Sequence, residues 1–183
     1  MKEVTLFPLG KVEHCAENAS SHGQLCAAAG MIFMQLHRYR RLRQPGHMRV
    51  YLSDTVWEEY ETQVKQDAAA GEIFRADEIS VLECRETGSR RVDGREHVLF
   101  SVHAKMTAWM ERESDGRFLK GDRGNRHGIY LMEFVSAPEL RGRPGANCPR
   151  CGAPMDASTD PLCRFCGESN AILGWVLTGA EKA

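Results

Sequence analysis

The sequence predicts an α+β fold: helices packed on a curved, cone-like antiparallel sheet, followed by a small four-cysteine module. Three observations predict it. Apolar residues recur at helical intervals through residues 25–68, and at every second residue over much of 77–110. Two Cys-x-x-Cys-Gly turns then follow, at 148–152 and 163–167. Helices first and strands afterwards is the order of a segregated α+β layer, in which helices cover one face of an antiparallel sheet.

Taken in order, residues 1–20 read as an N-terminal arm. Val4, Leu6 and Leu9 alternate like a short strand that Pro8 and Gly10 interrupt. Ser21 and Gln24 have the spacing of a capping box, and Leu25, Ala29, Ile32, Leu36 and Tyr39 form one apolar stripe that Pro45-Gly46 stops. Thr55 and Glu58 have the same spacing before a second stripe of Val56, Trp57, Tyr60, Val64 and Ala68, closed by Gly71.

From about Asp77 the period becomes two, and Asp93-Gly94 supplies hairpin chemistry. Val98, Phe100, Val102, Ala104, Met106, Ala108 and Met110 then share one face of a long strand. After a turn at Ser114-Asp115-Gly116, residues 127–136 are apolar on both faces, which predicts an interior strand. Residues 141–147 read as a linker, and 172–177 as a last apolar strand that docks the module onto the body or onto a partner. The division is a body over 1–140 and a module with its strand over 148–177.

The cysteine spacing carries chemistry. Each Cys-x-x-Cys places two thiolates on one tight turn, and the pairs Cys148/Cys151 and Cys163/Cys166 are eleven residues apart. Four soft thiolates closed into a tetrahedron suit Zn2+, or iron, and leave no open position for water or substrate, so the metal is expected to be structural. Loss of one thiolate is expected to unfold the module and expose Trp175. Of the seven cysteines, Cys15, Cys26 and Cys84 remain and are expected to pack as small hydrophobes in a reducing compartment, the cytoplasm.

The chain carries 24 Lys+Arg against 25 Asp+Glu, a formal charge of -1, which argues against a protein whose main business is coating nucleic acid. The start, Met1 to Pro8, has an acid and a proline where an export signal would keep a basic end and an apolar core. The longest apolar run, 25–34, is about half of the roughly 20 residues that cross a bilayer, so any membrane contact is expected to be peripheral.

These pieces together resemble a known family. Tyr51-Leu52-Ser53-Asp54 leads into the Trp57 helix, and 98–110 forms the long strand. Asp115-Gly116-Arg117, Tyr130-Leu131-Met132-Glu133-Phe134, the two cysteine turns and Gly174-Trp175-Val176-Leu177 complete the set. Over residues 25–177 the chain resembles the C-terminal domain of translocase of the inner membrane, subunit 44, and through it the nuclear transport factor 2-like cone fold, in bacterial relatives that carry a C-terminal zinc ribbon. The resemblance implies a non-catalytic binding or tethering module, with a protein or an anionic membrane surface as partner, and pairing of two copies into a homodimer.

Three further sites can be read from the residues. Trp57, Tyr60, Val98, Phe100, Val102, Met106 and Met110 either fill a closed core or line a pocket for an apolar ligand, which would make the chain a small-molecule enzyme or ligand-binding protein. Catalysis would need an acid or base in that pocket. Of the candidates, Asp54 reads as a helix-start residue, His103 as solvated, Tyr60 and Tyr130 as core-edge aromatics and Glu133 as a surface acid. Arg38, Arg40, Arg41 and Arg43 end the first helix, where they match its dipole or bind an anion. Arg141, Arg143, Arg150 and Arg164, with Phe165, would serve a nucleic-acid-binding ribbon.

Overall fold

The computed structural model describes residues 4, 6–14, 22–140, 148, 151–154, 163–167 and 174–183. Its elements are β1 (Leu9–Gly10), α1 (Gly23–Arg41), a 3-10 helix (Pro45–Tyr51), α2 (Asp54–Ala69), β2 (Glu72–Val92), β3 (Arg95–Arg112), β4 (Phe118–Ser136), a 3-10 turn (Pro138–Leu140) and β5 (Trp175–Lys182). The strands form one antiparallel sheet in the order β1-β5-β4-β3-β2, with both helices packed on it. The fold is α+β, as the pattern predicts.

Both helices begin at other residues than the capping boxes suggest. Ser53 caps α2, its hydroxyl accepting from the Val56 N–H at 3.4 Å, so Thr55 already lies inside the helix. α1 starts at Gly23 after His22, which offers no side-chain cap; its ring bridges Glu86 and Glu96 instead, at 3.1 and 3.4 Å. Ser21 lies outside the described residues.

The strands are longer than their apolar patterns. β2 begins at Glu72 and is bent by register shifts between Asp77 and Ser80, Val81 and Glu83, and Glu86 and Gly88. Asp93 and Gly94 both take positive φ, 49° and 77°, the two-residue turn that matches the twist of β2 and β3. β4 begins at Phe118, nine residues before the apolar run. Its first half is glycines and charges, and it pairs with β3 through the backbone, Lys120 opposite Met110 and Asp122 opposite Ala108.

The core lies between sheet and helices. Ile32, Phe33 and Leu36 of α1 and Val56 and Tyr60 of α2 meet Val98, Phe100 and Val102 of β3, Met132 and Phe134 of β4 and Leu177 of β5, each essentially without solvent exposure. Tyr60 donates its hydroxyl to the Leu36 carbonyl at 2.7 Å, satisfying the one polar atom that it buries. The N-terminal arm is part of this core: Leu6, Phe7 and Leu9 are buried, and Phe7 stacks on Phe33 at 5.7 Å. Beyond β1 the chain crosses over β5 at Gly179, where a Cβ would lie 2.3 Å from the Lys11 carbonyl oxygen, so only glycine permits the crossing. Cys15 lies outside the described residues. Among those described, no helix is long and apolar enough to cross a membrane.

Candidate metal centre

Each cysteine turn is built by backbone hydrogen bonds that point its two sulfurs the same way. The Gly152 N–H donates to the Cys148 carbonyl and the Gly167 N–H to the Cys163 carbonyl, both at 2.8 Å. The two glycines take φ of 74° and 71°, the left-handed conformation that a side chain would resist, and so turn the chain back over the sulfurs. The Cys148 N–H closes the first turn on the Ala153 carbonyl at 2.8 Å.

The four sulfurs of Cys148, Cys151, Cys163 and Cys166 lie within 4.8 Å of one another. Cys148 Sγ is 3.5 Å from Cys166 Sγ, and Cys151 Sγ is 3.7 Å from Cys163 Sγ. A tetrahedron with metal–sulfur bonds of about 2.3 Å has edges of about 3.8 Å, so the cluster has the size of a tetrathiolate metal site. Cys148 and Cys163 are buried, Cys166 is half-buried and Cys151 faces solvent. At Cys163 the backbone N–H of Phe165, with smaller help from that of Cys166 and from the neighbouring thiols, outweighs burial and lowers the thiol to about 7. A thiol so poised ionises readily, and the thiolate is the form that binds metal. The first turn rests on the body: a Cβ at Gly152 would come within 3.7 Å of the Tyr39 hydroxyl, and Tyr39 stacks on His47 at 4.6 Å.

The four arginines at the end of α1 do not form one patch. Arg40 points inward at 4% exposure, paired with Asp67 at 2.8 Å and lying 4.2 Å from the Phe74 ring centre. Because α2 and β2 close over that side of α1, Arg40 presents nothing to an external anion. Arg43 makes two hydrogen bonds of 2.9 Å to the Glu113 carboxylate and a third, of 3.0 Å, to the Glu72 carbonyl. Arg41 pairs with Asp77 at 2.8 Å, and Arg38 is exposed beside Tyr39. Arg38 and Arg41 line a cleft of about 360 Å3 with Leu42, Ala76 and Ile79.

The apolar set divides. Tyr60, Val98, Phe100, Val102 and Met106 lie in the main core with Trp57 half-buried at its edge, whereas Met110 belongs to a second cluster with Val4, Phe74 and Ala76. Asp54 pairs with Arg49. His103 lies on the opposite face of the sheet, 3.3 Å from His127. Arg164 and Phe165 sit on the second cysteine turn, Phe165 at 72% exposure. Arg141, Arg143 and Arg150 lie outside the described residues.

Glu133 is a finding that the sequence did not predict. It is no surface acid: at 3% exposure it accepts from Arg90 and from His97 Nδ1, each at 3.0 Å, and from the Thr178 hydroxyl at 3.2 Å. Its only signal in sequence is alternation. Met132 and Phe134 fill the helix side, so Glu133 points to the other face, and what covers it there comes from β2, β3 and β5.

No family model matches the chain, and no curated protein does. Among solved structures, the intermembrane space region of the chloroplast protein ARC6 is similar, at 11% identity and a TM-score of 0.45, over 86% of this chain and 95% of that one.

Proposed function

We propose that the chain is a non-catalytic binding or tethering module of the Tim44-like kind, with a structural zinc ion held by Cys148, Cys151, Cys163 and Cys166, working in the cytoplasm against the inner membrane. What supports the metal is a set of four sulfurs at tetrahedral spacing, with no fifth ligand group beside them among the described residues. A closed tetrathiolate site offers no water to activate, so the ion organises the ribbon and performs no chemistry. Four thiolates favour zinc over the harder divalent ions. Metal analysis of protein purified without chelator should find one zinc per chain; less than about half an equivalent, or iron in its place, counts against this part.

The contact surface is argued from one observation: Leu42, at 45% exposure, shares the cleft with Arg38 and Arg41. An exposed apolar side chain that lines one cleft with two arginines suits an anionic membrane surface, the leucine entering the headgroup layer while Arg38 meets phosphate. Co-sedimentation with vesicles containing about a third phosphatidylserine tests it. Binding should weaken with added salt and fall several-fold in Arg38→Glu. Equal binding to neutral vesicles, or none to either, overturns the membrane reading.

A second reading, an enzyme, is favoured by the Glu133–His97 pair. A buried carboxylate that holds Nδ1 leaves the other ring nitrogen of a histidine in a set orientation, the arrangement used to position a general base. This pair sits on the sheet face away from the helix-covered core, so it would serve a site outside the cone. Titration of the His97 ring by NMR with and without a candidate substrate separates the two readings.

A further inference from the structure

Cys26 and Cys84 are distant in sequence, and neither belongs to the four-cysteine cluster. The fold brings their sulfurs into direct contact, the Cys26 thiol donating to Cys84 Sγ at 2.6 Å. The two elements that carry them are already neighbours: α1 packs over β2, and Cys26 and Cys84 both pack at the margin of the main core. β2 is the edge strand of the sheet, held by β3 on one side only. The contact therefore lies where α1 meets one of the two edge strands of the sheet.

We propose that Cys26 and Cys84 are a disulfide-forming pair that latches α1 to the edge strand β2 by exchange with an external disulfide, the oxidised form of a low-molecular-weight thiol. One of the two thiols gives its proton to solvent, and its sulfur attacks one sulfur of the external disulfide, expelling the first small thiolate. The second cysteine, likewise deprotonated, attacks the resulting mixed disulfide and expels the other small thiolate. Two protein thiols lose two electrons, one external disulfide gains them and becomes two thiols, and the intramolecular S–S bond remains. The sulfurs are half-buried and already in contact, so the second step joins two atoms that the fold holds side by side.

Burial raises both thiols above their ordinary range, and at Cys84 the neighbouring Cys26 adds to it. The thiolate is therefore scarce at neutral pH, and closure is slow, favoured by alkaline conditions. Once closed, the bond ties positions 58 residues apart and so removes much of the freedom of the unfolded chain.

The test uses the full chain loaded with zinc, equilibrated at pH 8 in glutathione buffers of increasing oxidised fraction. Peptide mapping reads the linkage, a colorimetric zinc chelator reads metal release, and thermal unfolding reads stability. The expected result is a Cys26–Cys84 linked peptide with zinc retained. Tm should rise by roughly 5–15 °C and return to its starting value on reduction. Cys26→Ala and Cys84→Ala should each abolish the linked peptide and the oxidation-dependent rise, whatever their own Tm. Recovery of Cys26 and Cys84 as separate thiols in the most oxidising buffer overturns the proposal. So does a linked peptide that forms with an unchanged or lower Tm.

Discussion

Arg40 of α1 and Asp67 of α2 form an ion pair of 2.8 Å whose side chains are only 4% and 9% exposed, so the two helices are joined through a charge pair sealed from water. Gln63 adds a hydrogen bond to the other Asp67 oxygen at 3.1 Å, and the Phe74 ring lies under the guanidinium. Both charges are stable there only because each has the other. Asp67→Ala leaves Arg40 buried without its counter-ion and should cost about 3–5 kcal/mol in urea unfolding. The double change Arg40→Met with Asp67→Leu removes both charges and should restore most of that stability. A double variant no better than Asp67→Ala would show that the pair contributes shape more than charge balance.

His37 should make stability depend on pH. It is buried in the core, its Nδ1 donates to the Phe33 carbonyl at 2.9 Å, and its Nε2 has no partner among the described residues. Burial, against the help of that carbonyl and with the opposition of Arg40, lowers its pKa to about 4. The unfolded chain takes up a proton near pH 6.5 while the folded one does not, so stability is full above about pH 6.5 and falls as pH drops toward 4. The loss attributable to this ring is about 3 kcal/mol over that window. His37→Leu should flatten the stability profile between those limits, measured by chemical unfolding at each pH.

Metal removal should act locally. Trp175 pairs with Ser136 in the sheet, its ring meets His22 edge-on at 5.7 Å and it packs against the main core, so among the described residues it is the body that holds it. Cys166→Ser or a strong chelator should release the ion and lose the ordered turns while Trp175 fluorescence stays unchanged. A red shift of that fluorescence would instead bear out the expectation drawn from the sequence, that the tryptophan depends on the metal.

Gly179→Ala should loosen the N-terminal segment. The new methyl would sit 2.3 Å from the Lys11 carbonyl oxygen and 2.9 Å from the Val12 nitrogen, both backbone atoms that cannot step aside alone. A cost of about 1–3 kcal/mol is expected, in the range for overpacking. Proteolysis in residues 9–14 should become faster, and unchanged protection there would show that the crossing can shift at no cost.

The parts legible in the sequence are those whose signal is local. The helical stripes, the Asp93-Gly94 turn, the alternation of 98–106 and the cysteine spacing each need only a few neighbouring residues to be read. The parts that were not legible depend on encounters across the fold. Phe118 to Arg126 is a strand because β3 offers it a partner, against glycines and charges that locally read as loop. Ser53, not Thr55, caps α2 because the helix begins at Asp54, two residues before its apolar stripe. Arg40 and Glu133 looked like surface charges, and only the packing of other elements over them makes each a buried member of a polar network. The contact of Cys26 with Cys84 has no sequence signature at all.

Ser136 and Trp175 face each other across β4 and β5, and the stretch of chain that carries the cysteine cluster joins these adjoining strands beyond that rung. Topologically the metal-binding segment is thus an enlarged hairpin connection, spliced between adjoining strands and not appended to the end of a finished domain. Evolution or an engineer could shorten, exchange or decorate it without rewiring a single strand, and any movement of it would reach the body through that rung and through the approach of Gly152 to Tyr39.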